Sequence, residues 1–195
     1  MILADSREID GRRLRSVASR DRIINAVIAL VDEDQGIPGA EAIAARARVG
    51  LRSVFRHFGD MDGLYVAVID RIGGRYTHLA RPYVAADWHG QVREAMERRM
   101  EMFATVLPYR RAADMHRQRS PLLDHGLDAL NLMMRGRIDG IVPADVKADT
   151  LWLEQLDLWL SLESYGRLRD RQRLGHAAAA AVIDAAVTAL LAAKA

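Results

Sequence analysis

Sixteen consecutive positions, Ile43-Ala-Ala-Arg-Ala-Arg-Val-Gly-Leu-Arg-Ser-Val-Phe-Arg-His-Phe58, restrict this chain more than any other stretch. Ile43, Ala44 and Ala47 recur at helical spacing and predict one short helix with an inward face. Val49 falls in a tight turn, where a small apolar residue can hold two helices together. Leu51, Val54, Phe55 and Phe58 then repeat at i, i+3, i+4 and i+7, predicting a second helix with that stripe inward and Arg52, Ser53, Arg56 and His57 off it. From Arg46 to His57 there are four arginines and no acid. This is the layout of a helix-turn-helix, whose second helix lies in the DNA major groove. It also suits a buried helical hairpin with solvated arginines, and the pattern alone leaves both readings open.

The flanking sequence supplies further helices. Ser19 is an expected N-cap for a helix to about Asp34, with Ile23, Ala26, Val27, Leu30 and Val31 on one face and Gly36 and Pro38 beyond its end. Gly59-Asp60 predicts a turn with Asp60 capping a fourth helix that buries Leu64, Tyr65, Val68 and Ile69. That helix is expected to reach about Ala80, weakened at Gly73-Gly74. Residues 1–18 are polar and aperiodic, with Arg12, Arg13 and Arg15 close together, and read as a flexible arm able to reach phosphates or a minor groove.

Beyond residue 69 there is no strand signal. A helix from about Gly90 to Leu107 places Val92, Met96, Met100 and Phe103 on one face. Pro108 is expected to break it ahead of a shorter segment, Tyr109 to Arg119. Ser120-Pro121 marks a helix start, with Leu123, Leu127, Leu130 and Met134 inward to about Ile138. From Ala148 to Arg169 the chain is apolar on most sides, which requires cover on most sides. An alanine-rich helix from His176 to Ala193 closes the sequence.

Composition excludes several functions. With no cysteine, disulfides, thiolate catalysis and cysteine metal sites are ruled out. The N-terminus offers only Ile2-Leu3-Ala4 before Asp5, too short for a signal peptide, and no run of ~20 apolar residues exists to span a membrane. A soluble cytoplasmic protein is expected. Metalloprotease, hydrolase and phosphate-loop motifs are absent, so neither catalytic residues nor a cofactor or metal is expected. Glu154, Asp157 and Glu163 read as a solvated strip, and His125 lacks partners at ligand spacing.

Residues 19–68 resemble the DNA-binding domain of the tetracycline-repressor (TetR) family of transcriptional regulators. The residues responsible are Arg22-Ile23-Ile24 and Ala26, Ile43-Ala44-Ala45-Arg46-Ala47 with Val49, Ser53-Val54-Phe55-Arg56-His57-Phe58, and Leu64-Tyr65 with Val68. The resemblance implies an all-α chain: a three-helix helix-turn-helix domain (19–60, after the 1–18 arm) joined to a larger helical ligand-binding and dimerisation domain (61–195). The expected DNA contacts are Arg48, Gly50, Leu51, Arg52, Ser53, Phe55, Arg56 and His57, of which the resemblance itself implies the positions of Ser53, Phe55 and His57. Ser53 would meet a base edge or phosphate and His57 a phosphate. Arg52 can fork guanine, Leu51 and Phe55 offer apolar contacts, and Arg56 suits a phosphate. Arg48, Gly50 and Met61 depart from the family's usual glycine, serine or threonine, and lysine.

The resemblance further implies a homodimer on a palindromic operator, released by a small apolar ligand. Met96, Met100, Phe103, His116, Met134 and Trp152 are the expected pocket residues, the methionines being adaptable. Leu156, Trp159, Leu160, Ile183, Val187 and Leu190 are the expected dimer contacts. The alternative is an all-helical ligand-binding or protein-interaction module whose helix-turn-helix is vestigial, a reading that Met61 favours.

Overall fold

Among the described residues the expected helical segments are helical, with several of their bounds shifted. The computed structural model describes residues 3–33, 38–74, 79–117 and 120–194, the side chains of 3–12 and His116 excepted. Among the described residues there are ten α-helices and no strand. They are α1 (Leu3–Asp32), α2 (Ala40–Ala47), α3 (Leu51–Phe58), α4 (Met61–Gly73), α5 (Trp88–Arg117), α6 (Pro121–Asp139), α7 (Ala144–Lys147), α8 (Thr150–Trp159), α9 (Leu162–Asp170) and α10 (His176–Ala192).

The chain divides into two compact units, one of Met1–Gly74 with Pro108–Asp124, the other of Arg75–Leu107 with His125–Ala195. In the first, α1 buries Ile23, Ile24, Val27, Leu30 and Val31, and α2 buries Ile43, Ala44 and Ala47. Helix α3 adds only Val54, while α4 adds Leu64, Tyr65, Ala67, Val68 and Ile72. Polar ties fix the helices around these apolar groups. Arg71 of α4 pairs with Asp21 of α1. Arg46 of α2 forks the Glu33 carboxylate at 2.7 and 2.5 Å, lowering the pKa of Glu33 through that hydrogen bond. Tyr109 donates to Asp32 at 2.5 Å. Tyr65 donates to the Pro38 carbonyl at 3.4 Å, and burial raises its pKa to about 12.

In the second unit, Val92, Met96, Met100 and Phe103 of α5 meet Trp152, Leu156 and Leu160, Tyr165 of α9, and Ile183 and Val187 of α10 in one core. Buried Arg99 crosses this core, donating to the Leu160 carbonyl at 3.0 Å and the Met134 carbonyl at 2.5 Å. Desolvation draws its pKa down to about 10. Arg135 of α6 grips Glu154 at 2.7 Å and Asp157 at 3.1 Å, so these acids are ion-pair partners rather than a merely solvated strip.

Four expectations are corrected. Residues 3–18 have helical backbone, and α1 runs unbroken through Ser19, which is therefore no N-cap. Pro108 lies inside α5 instead of ending it. Proline forfeits one hydrogen bond, but its fixed φ is compatible with a helix, and buried Leu107 and Tyr109 flank it. Helix α4 stops at Gly73, with Gly74 as its cap; part of the expected continuation, 75–78, lies outside the described residues. The single helix expected over 148–169 is two: Ser161 accepts from the Ser164 amide at 3.1 Å and starts α9 anew.

Expected caps are found at Asp60, which accepts from the Gly63 amide at 2.8 Å, and at Ser120, which accepts from the Leu123 amide at 3.3 Å. Gly63 also has a steric duty. A Cβ there would lie 2.3 Å from the Phe58 carbonyl oxygen, whereas Gly73 has open space. Gly63→Ala should therefore lower the chemical-denaturation midpoint, at a cost of about 1–3 kcal/mol. Gly73→Ala should leave the midpoint unchanged or raise it, by at most ~1 kcal/mol.

Candidate nucleic-acid interface

The joint between α2 and α3 sets how the second helix is presented. Helix α2 ends with Arg48 in the left-handed region, at φ 53° and ψ 49°. The Arg48 amide donates to the Ala45 carbonyl at 3.1 Å and the Val49 amide to the Ala44 carbonyl at 3.0 Å. These two bonds make a Schellman motif, with an arginine where glycine is usual. Half-buried Val49 tucks into the turn, and Gly50, extended at φ −70° and ψ 147°, starts α3 with no capping side chain. Helix α3 ends at Gly59, whose φ of 82° suits glycine.

Helix α3 exposes Arg52 and Arg56 as expected, half-buries Ser53 and His57, and buries fewer apolar residues than its stripe suggested. Val54 is fully buried and Phe58 half-buried, whereas Leu51 and Phe55 are 37% and 38% exposed. The inward stripe is thus narrower than its spacing suggested, because only one line of this eight-residue helix meets the core. Leu51, Arg52, Phe55 and Arg56 are exposed, with Ser53 half-buried beside them. Arg48 and Gly50 are exposed at the turn. The Arg56 guanidinium lies 3.4 Å from the Ser53 hydroxyl.

The four arginines of this interval are not equivalent. Arg46 is held by Glu33. Arg48, Arg52 and Arg56 have no acidic partner among the described residues, a cationic face on an otherwise well-packed hairpin. His57 is half-buried, and its Nε2 is enclosed with no hydrogen-bond partner among the described residues. Desolvation lowers its pKa first, and the guanidiniums of Arg56 and Arg20 lower it further. Both effects favour the uncharged imidazole. That face can supply forked donors, a hydroxyl and two apolar groups, the inventory used on phosphates and base edges.

The other expected site residues divide differently. Met96, Met100, Phe103 and Trp152 are buried together, with Met134 half-buried against them, and they form core in the second unit. The side chain of His116 lies outside the described residues. A described groove of about 560 Å³ is elsewhere, lined by Asp114, Arg117, Pro121 and Asp124 in the first unit. Leu156, Leu160, Ile183 and Val187, expected at a dimer interface, are fully buried within the protomer, and Trp159 and Leu190 pack partly on the same core. Exposed on those helices are Leu151, Leu158 and Val182, a division that periodicity could not reveal. No helix among the described residues is long and apolar enough to cross a membrane.

Two measurements test the local chemistry. Arg48→Gly should raise stability by about 0.5–1 kcal/mol in chemical denaturation: it relieves a ~1–2 kcal/mol left-handed penalty and gives part back as glycine backbone entropy. The His57 ring, followed by NMR, should titrate below the ordinary histidine range. Because this pKa is depressed on folding, the associated stability is present above the unfolded value near 6.5 and is lost as pH falls through the folded one. Arg56→Gln should move the titration upward.

No family model matches the chain. It is 35% identical over 88 residues to an HTH-type transcriptional repressor of Mycobacterium tuberculosis and to an HTH-type transcriptional regulator of Mycobacterium bovis. The match spans 45% of this chain and 45% of each relative, so slightly less than half the length of these curated relatives is matched. Among solved structures, a regulator of the TetR family from Mesorhizobium loti superposes with a TM-score of 0.56 at 21% identity, over 92% of this chain and 98% of that one. A TetR regulator from Rhodococcus sp. RHA1 gives 0.53 at 17% identity, over 91% and 99%. A second, TetR-like regulator from the same organism gives 0.56 at 17%, over 89% and 96%. The chain thus has the fold of the TetR family of transcriptional regulators, with α2 and α3 as its helix-turn-helix.

Proposed function

We propose that the protein is a ligand-responsive, homodimeric transcriptional repressor acting on DNA in the cytoplasm. The observation that supports this best is the exposed face of α3. Arg52 and Arg56 stand there without acidic partners, beside Leu51, Ser53 and Phe55, on a helix fixed by the Arg48–Val49 turn. Arginines without acids on a rigid helix keep their full charge for phosphates and base edges. In a two-fold dimer, two such helices would enter successive major grooves about 34–36 Å apart, reading a palindromic operator.

Dimerisation is assigned to the outward faces of α8 and α10. Leu151, Leu158 and Val182 are exposed there, the small residues of α10 permit close approach, and two-fold dimers are the commonest assembly. The inducer would be small and largely apolar, accommodated among Met96, Met100, Phe103, Met134 and Trp152 by rearrangement of the flexible methionines. It must bind the DNA-incompetent dimer more tightly than the competent one.

A gel-shift on DNA from upstream of its own gene should give a salt-sensitive, sequence-dependent complex. Arg52→Ala should weaken it by ~1–3 kcal/mol, about 5- to 150-fold. The absence of any such complex, with Arg52→Ala indistinguishable from the unaltered protein, would sink the repressor reading and favour an all-helical interaction module. By light scattering the protein should have the mass of a dimer, and Leu158→Glu that of a monomer. A panel of small apolar molecules should include one that both shifts Trp152 and Trp159 fluorescence saturably and releases DNA.

A further inference from the structure

Helix α1 contributes a charged group that the helix-turn-helix pattern does not contain. The Arg20 guanidinium lies over the ring of Phe58, 5.0 Å from its centroid. Phe58 is the last residue of α3, so an α1 side chain is held against the end of the presented helix. Arg20 itself is exposed and has no acidic partner among the described residues. Stacking restrains a guanidinium by its face and leaves its N–H edge available, the edge that forks a phosphate.

The surroundings add to this. Arg56 and His57 lie in the last turn of α3, and after desolvation the charges of Arg56 and Arg20 lower the pKa of His57. The next helix supplies no cation to that place, for it opens Asp60-Met61-Asp62. Asp60 accepts from the Gly63 amide through Oδ1. Arg71, the cation at the far end of α4, is paired with Asp21. Arg20 is thus an uncommitted charge, partly immobilised before any ligand arrives, and less side-chain entropy remains to be lost on binding.

We propose that Arg20 is a DNA backbone contact: stacked on Phe58, it forks one phosphate beside the end of α3 and positions that helix without reading sequence. This rests on the DNA-binding reading above. A phosphate contact contributes equally on any sequence, and each one adds about 0.9 to the steepness of log affinity against log salt.

The test measures binding by fluorescence anisotropy from low to moderate salt, using two duplexes of equal length, one from upstream of the protein's own gene and one of random sequence. Arg20→Gln should weaken both by the same factor, about fivefold near 0.15 M salt, and flatten the salt dependence by about one unit. Arg20→Lys should restore the slope, because it returns the charge. Arg22→Gln, which removes an exposed arginine two residues along the same helix, should leave the slope unaltered. Thermal unfolding followed by circular dichroism accompanies each variant. If Arg20→Gln binds with an unchanged slope, with or without a lowered melting temperature, Arg20 only packs on Phe58 and the proposal fails. An equal flattening by Arg22→Gln would reduce the effect to net charge and would also overturn it. Failure of the unaltered protein to bind either duplex would remove the DNA-binding reading itself, and this inference with it.

Discussion

Two backbone hydrogen bonds at the end of α2 carry the arrangement on which the rest depends. They turn the chain through Arg48 and Val49 and deliver α3 at a defined angle to α2. The turn is made at some expense, since Arg48 occupies a left-handed conformation that a glycine would adopt more readily. It persists because both flanking helices are anchored: Ile43, Ala44 and Ala47 on one side, Val54 on the other. Few groups hold α3, so its remaining surface is free for contact. A broader apolar stripe would have fixed the helix more firmly and hidden the residues it now exposes.

The distribution of charge follows the same economy of commitment. Arg46, Arg71, Arg110 and Arg135 are engaged by carboxylates and tie neighbouring helices or successive turns together. Arg99 is spent on backbone carbonyls inside the second unit. The arginines of α3 are not so spent, and neither is Arg20. A modest formal charge of +2 therefore understates the local field, because acids cancel cations elsewhere and leave one face uncancelled.

How much was legible in the sequence varied with how local the determining interaction was. The bounds of α2 and α3 follow from glycines and caps a few residues apart, and Asp60 and Ser120 act through their nearest amides. The split between α8 and α9 is equally local, yet Ser161 was masked by the leucines around it. Pro108 misled because a proline signal is weaker than the packing of its neighbours. The exposure of Leu51 and Phe55 depends on how little surface the other helices offer, which no spacing rule contains. The same holds for Leu156, Leu160, Ile183 and Val187: periodicity shows that they seek cover, and only the fold shows that their own protomer provides it. Arg20 was invisible for a related reason, since its partner Phe58 is distant in sequence and close only after folding.

We propose that the uncancelled face of α3 meets DNA in the major groove, twice per dimer. Footprinting on DNA from upstream of the gene, with a reagent that attacks guanine in the major groove, addresses it most directly. The result expected is two protected patches centred about 10 base pairs apart, both lost when Arg52 and Arg56 are replaced together by glutamine. Protection that is absent, or that survives unchanged in the double replacement, would contradict it.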